Sequence, residues 1–257
     1  MTLQALIWDV DGTLAETEEA HRHAFNRTFR AHGYDWEWSQ AMYRELLKTT
    51  GGVERITHYL RSDRPGALPE DTFVDTVKAL HKAKTASYVN AISNGEVPLR
   101  PGVARIMREA RAAGVRLAIA TTTSAPNVEA LINNCAEGVR MDWFDVVGAG
   151  NIVPKKKPAP DIYNWTLEKL GLDPRRCVAL EDSRNGLFSA QAAGVPCVIT
   201  YSSYTDDQEF PGALAVADCF GEPAAPVPAV SGDFGGKRHV DLDLLRRWHA
   251  AAVSASV

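Results

Sequence analysis

Short apolar, partly β-branched runs alternate with stretches of helical spacing, and this alternation constrains the fold more than any other feature. The runs lie at 3–8 ("LQALIW"), 115–123 ("VRLAIATTT"), 144–150 ("FDVVGAG"), 177–183 ("CVALEDS") and 196–202 ("PCVITYS"). The spacing of Val103, Ile106, Met107 and Ala110 predicts a helix just before the second run. Val128, Leu131 and Ile132 predict another, as do Ile162, Trp165, Leu167 and Leu170, and Leu187 with Ala190. Strands alternating with amphipathic helices form βαβ units, so the expected class is α/β, with a parallel sheet covered on both faces. Near-continuous apolar strands are what burial on both faces requires.

One interval breaks the pattern. Between 16 and 95, "EEAHRHAFNRTFRAHG", "SQAMYRELLK", "GGVERITHYLRS" and "EDTFVDTVKALHKAKTASYVNAI" all read as helical, with "RSDRPGALPED" (61–71) as an internal loop. A helical insert therefore follows the first strand, and "SNGEVPLRPG" (93–102) is its return hinge. The expected division is a core of 1–15 with 96–220, an insert of 16–95, and a strap with a short helix at 221–257 packing on the core. No internal repeat is present.

The chain of 257 residues has 45% hydrophobic and 23% charged residues and a formal charge of -4. That balance offers no basic field for a nucleic acid backbone or an anionic membrane. Cys135, Cys177, Cys197 and Cys219 form no C-x-x-C pair, which points to reduced thiols and no cysteine metal site. With neither a secretory leader nor a stretch long enough to span a bilayer, the expectation is a cytoplasmic monomer acting on a small molecule.

Directly after the first run come Asp9, Asp11 and Gly12. In open α/β sheets ligands bind beyond the carboxyl ends of the strands. Residues two apart on a strand point the same way, so the two carboxylates converge, and Gly12 lets the chain turn aside. Such a pair also suits Mg²⁺, which takes one or two carboxylates plus water and phosphate. The bland alternative is a capped strand end and turn. The other strand ends carry Thr121, Thr122 and Thr123 before a helix, then Lys157 before Pro158, then Glu181 and Asp182. Hydroxyls and helix amides there can hold phosphate. Lys155 and Lys156 are expected to be solvated.

Taken in order, "DVDGTLAET", "ATTTS", "KKPAPDIY" and "LEDSRNG" resemble the four motifs of the haloacid dehalogenase (HAD) superfamily. The resemblance covers about 3–220 and implies a Rossmann-like core of strand order 5-4-1-2-3 with a C1-type cap. It implies phosphoryl transfer through an aspartyl-phosphate: Asp9 as nucleophile, Asp11 as acid and base, and Thr121 and Lys157 holding phosphoryl oxygens. Asp9, the Asp11 carbonyl and Asp182, with Glu181 close behind, would hold Mg²⁺. The sequence departs from the usual pattern at Trp8, where Phe is common, and in the C-terminal strap.

The insert narrows the resemblance to the β-phosphoglucomutase-like branch, nearest to CbbY-type sugar-phosphate phosphatases of Calvin-cycle carbon fixation, through "AETEEAHRHAFN", "LLKTTGGVERI" and "HKAKTASYV". It implies that Glu16 and His21 face the sugar and the proton-transfer region. Thr50, Gly51, Gly52, Glu54 and Arg55 would meet the distal end of the ligand, with Lys84 a further contact. The implied substrate is xylulose 1,5-bisphosphate. A sugar phosphomutase, a broad sugar-phosphate or phosphoglycolate phosphatase, and a catalytically silent binding module are the alternatives; the last would lack Asp9, Asp11, Lys157 or Asp182. His23, Lys48 and His58 are read as surface residues.

Overall fold

The computed structural model describes residues 1–93, 97–225, 227 and 229–255. Seven strands form one sheet: β1 (Ala5–Trp8), β2 (Arg116–Ala120), β3 (Val146–Gly148), β4 (Cys177–Glu181), β5 (Cys197–Thr200), β6 (Ala215–Ala217) and β7 (Ala229–Ser231). Their order is β3-β2-β1-β4-β5-β6-β7, all parallel except the β6–β7 pair. The five expected strands thus stand in the expected central order, and two more extend it. The strap is less irregular than its composition implied, because β7 lies in it and closes the sheet against β6.

The helices are α1 (Glu18–Ala31), α2 (Gln40–Leu46), α3 (Gly52–Ser62), α4 (Phe73–Ile92), α5 (Val103–Ala112), α6 (Ala125–Asn134), α7 (Asp161–Leu170), α8 (Arg184–Ala192) and α9 (Leu242–Ala255). None of those described is long and apolar enough to cross a membrane. Alternate residues of β1 go to opposite faces. Leu6 and Trp8 pack with Leu117, Ile119, Val178 and Leu180 against α5, α6 and α9, whereas Ala5 and Ile7 pack with Ala118, Ala179 and Ile199 against α7 and α8. Trp8 fits the place of the commoner Phe by meeting Phe220 edge-on, centroids 5.6 Å apart.

The first four helices form the insert. Their apolar faces meet in an aromatic core of Phe25, Phe29, Trp36, Trp38, Tyr43, Tyr59 and Phe73, joined by Tyr204 from the loop after β5. The expected return hinge lies partly outside the described residues, at 94–96. Its described part runs beside the outgoing connection, with Leu99 bridged to Ala15 and the Arg100 amide donating to the Leu14 carbonyl at 2.7 Å. The buried Arg100 guanidinium donates to the carbonyls of Gly12, Thr200 (2.9 Å), Tyr201 (2.6 Å) and Asp218, tying both connections to the sheet.

Candidate active site

A cavity of about 650 Å³ opens between the carboxyl edge of the sheet and the insert. The core contributes Asp9, Asp11, Thr121, Thr122, Thr123, Lys157 and Asp182 to its wall. Parallel strands all deliver their ends to one edge, and this is why residues distant in sequence meet there. Gly12, at φ 81°, has no room for a Cβ, which would collide with the Asp182 carboxylate and Ser202. The glycine lets the fourth strand's acid close on the first strand's loop.

Lys157 is buried and donates at 2.6 Å both to Asp9 Oδ1 and to Glu181 Oε1. Burial alone would lower its pKa, but Asp9 and Glu181 more than offset this and hold it above the ordinary lysine value. Tyr163 donates to the same Glu181 oxygen at 2.6 Å. Glu181 does not line the cavity, its other oxygen is buried with no hydrogen-bond partner among the described residues, and a Cβ at Gly186 would collide with it. Although placed with the metal ligands by its motif, Glu181 therefore serves Lys157 first.

Asp11 Oδ1 accepts from the Thr17 hydroxyl at 2.6 Å and lies 2.9 Å from His21 Nε2. His21 Nδ1 lies 2.7 Å from Lys84 Nζ. An ammonium can only donate, so these partners place the imidazole hydrogen on Nε2, facing Asp11. Burial, then the Lys84 charge, lowers the His21 pKa to about 4, which keeps the ring neutral. Burial and Arg55 bring Lys84 down to about 7 against the pull of Asp11. Burial would raise Asp11, but His21 and Thr17 outweigh it and hold the carboxyl well below its usual range.

Asp9, Glu181 and Asp182 offer carboxylate oxygens within 4.8 Å of one another. Burial raises Asp182 well above the ordinary value, with the Asp9 and Glu181 charges adding to it, and burial likewise raises Asp9 against the opposition of Lys157. Three buried carboxylates facing one ammonium leave excess negative charge, and a hard divalent cation relieves it. The residues fit such an ion as Mg²⁺, which Asp9 and Asp182 could hold.

Residues 3–194 match the haloacid dehalogenase-like hydrolase family. The chain is a haloacid dehalogenase-like hydrolase. It is similar to CbbY of Cereibacter sphaeroides, 50% identical over 222 residues, which are 86% of this chain and 94% of that one. It also resembles the plasmid-borne CbbY of Cupriavidus necator, at 45% identity over 251 residues, 96% and 97% of the two chains. Among solved structures, a mutant of CbbY from Rhodobacter sphaeroides in complex with xylulose 1,5-bisphosphate superposes with a TM-score of 0.80 at 50% identity, covering 86% of this chain and 96% of that one.

On the insert side of this hydrolase, His21, Thr50, Gly51, Gly52, Arg55 and Lys84 reach the cavity. Glu16 and Glu54 do not. Glu16 precedes α1 and turns out to Ser203 Oγ (3.1 Å) and Arg100 Nε (3.3 Å). Glu54 pairs with Lys156 at 2.9 Å, so Lys156 bridges core and insert and is not a solvated lysine, unlike exposed Lys155. Gly51 passes beneath this pair at φ 100°, where any Cβ would collide with both partners. Thr50 Oγ1 accepts from Asn185 Nδ2 at 3.0 Å across the same seam. His23, Lys48 and His58 are exposed, Lys48 at the cavity rim.

Sequence reasoning missed Glu18, Tyr43 and His81. Glu18 lines the cavity and accepts from the Tyr43 hydroxyl at 2.9 Å, while Arg55 Nη1 donates to that hydroxyl at 3.0 Å. Burial raises Glu18 to about 7 against the opposing charge of Arg55. The signal was the three-residue step from Glu18 to His21, which puts both on one helix face; His81 and Lys84 repeat that step on α4.

Proposed function

We propose that this protein is a Mg²⁺-dependent sugar-phosphate phosphatase that works through an aspartyl-phosphate, with xylulose 1,5-bisphosphate as its substrate. The observation that carries this reading is a cavity with cations on both walls: Lys157 beside Asp9 at the sheet edge, and Arg55 and Lys84 on the insert. A monophosphate needs only the first. The complex of the similar CbbY with xylulose 1,5-bisphosphate supports the same choice.

The insert acts as the cap over the reacting phosphate. Asp9 attacks phosphorus, the bond to the sugar oxygen breaks, and Asp11 gives that oxygen its proton. Asp11 then takes a proton from water as the water attacks the aspartyl-phosphate, which releases phosphate and restores Asp9. Asp11 thus enters the first step carrying the proton that it regains from water in the second. The contact of His21 Nε2 with Asp11 Oδ1, with Lys84 behind the ring, orients the carboxyl for both steps. Lys157 neutralises charge on the transferring group, and Thr121 with the start of α6 holds its oxygens; Ser124 Oγ there is buried with no partner among the described residues. When bound, Mg²⁺ supplies further neutralisation of the phosphoryl oxygens.

The test is a phosphate-release screen across sugar mono- and bisphosphates with Mg²⁺. One phosphate released per ketopentose bisphosphate supports the proposal. Conversion of glucose 1-phosphate to glucose 6-phosphate with little release would reassign the protein as a mutase.

A further inference from the structure

We infer that Tyr204, a core residue in the loop after β5, positions the distal half of the cavity by buttressing Tyr43 and, through it, Glu18 and Arg55. The inference rests on the proposed reading of that half as the place where the far end of a sugar phosphate binds.

Residues 201–214 join two parallel strands, β5 and β6, with no helix between them. The foot of this loop is fixed at the sheet edge. Arg100 holds the Thr200 and Tyr201 carbonyls, and Ser202 lies beside Gly12, next to the Asp182 carboxylate. Its tip crosses to the insert. The Tyr204 ring is 6% exposed, belongs to the insert's aromatic core, and meets Tyr43 edge-on with centroids 5.7 Å apart and planes at 89°.

Arg44, next to Tyr43 on α2, locks the tip from outside. It donates to Asp206 at 2.7 Å, Asp207 at 3.1 Å and the Ser203 carbonyl at 2.6 Å, with its guanidinium carbon 5.7 Å from the Tyr204 ring centre. Tyr43 is thus held on one side by a core residue, while its hydroxyl holds Glu18 and Arg55 on the other. Among the described residues the Tyr204 hydroxyl has no hydrogen-bond partner, so the contact with Tyr43 is made by the ring. A chain of contacts runs from Ser202 at the sheet edge through Tyr204 and Tyr43 to Glu18 and Arg55.

Steady-state kinetics on two substrates tests this: xylulose 1,5-bisphosphate, and 4-nitrophenyl phosphate, which has no distal phosphate. An edge-on aromatic contact of ordinary strength predicts that Tyr204→Leu lowers the ratio of kcat/KM for the bisphosphate over the aryl phosphate by roughly two- to tenfold. The loss should fall on KM, and Tyr204→Phe should restore the ratio. Arg44→Ala, which alters an exposed contact, should lower the same ratio by a smaller factor. An unchanged ratio in Tyr204→Leu, or losses on both substrates in equal proportion, overturns the inference. A wild-type enzyme that cleaves the aryl phosphate and no sugar phosphate overturns the functional reading, and this inference with it.

Discussion

His21 Nε2 lies 2.9 Å from Asp11 Oδ1, so the first helix of the insert holds the second aspartate of the strand-end pair. In the proposed mechanism this contact makes proton transfer by Asp11 depend on the insert. His21→Ala should slow turnover of sugar phosphates on the order of 10²-fold, as misplacement of a reacting group does. Aryl phosphates, whose leaving group needs no proton, should suffer less. Parallel assays of both substrate types check this, and equal losses would detach His21 from proton transfer.

Lys84 gives the pH dependence. Its pKa is lowered to about 7, so it carries charge below that pH and loses it above. A charged Lys84 favours binding of an anionic ligand, so kcat/KM should fall as pH rises through about 7. Lys84→Met should have a lower kcat/KM and lack that alkaline limb. A limb that persists in Lys84→Met belongs to another group.

The acid cluster links metal to stability. Burial raises both Asp182 and Asp9, with the Asp9 and Glu181 charges adding to it at Asp182 and the Asp11 charge at Asp9. A group whose folded pKa is raised contributes stability that is present below its unfolded pKa and is lost as pH rises through the folded one. The metal-free protein should therefore lose stability toward neutral pH, and Mg²⁺ should restore it. At a hundred times its dissociation constant the ion should raise Tm by about 5 to 10 °C. Asp182→Asn should raise the metal-free Tm and largely abolish the Mg²⁺ shift. Thermal unfolding with and without Mg²⁺ at acidic and neutral pH measures both.

Arg55 tests the distal end. Its Nη1 is committed to Tyr43 and its Nε to the Leu46 carbonyl at 3.2 Å, which leaves Nη2 without a hydrogen bond among the described residues. A charge-assisted contact from it to a second phosphate should contribute about 1.5 to 3 kcal/mol. Arg55→Ala should then weaken bisphosphate selection roughly ten- to a hundredfold, chiefly in KM. Unchanged preference for bisphosphates over monophosphates would remove Arg55 from the site.

The core was legible because its signals are local. Apolar runs such as Leu6, Ile7 and Trp8 end on polar residues, and parallel topology carries every such end to one edge. β6 and β7 were not legible: three residues of Ala215–Ala217 carry no usable period, and β7 lies in a Pro-rich stretch. Within the insert, resemblance chose Glu16 where geometry presents Glu18, because Glu16 lies before the helix and only Glu18 shares the face of His21. Lys156 looked like its exposed neighbour Lys155 until the fold brought Glu54 to it. Tyr204 had no sequence signal at all, since its role exists only across the seam between core and insert.

The central claim is that Asp9, 2.6 Å from Lys157, attacks a sugar phosphate. Its most direct test is phosphate release from xylulose 1,5-bisphosphate with Mg²⁺, by the wild type and by folded Asp9→Asn side by side. The wild type should release one phosphate per substrate molecule and the variant none. Substantial release by Asp9→Asn, or none by the wild type, would contradict it.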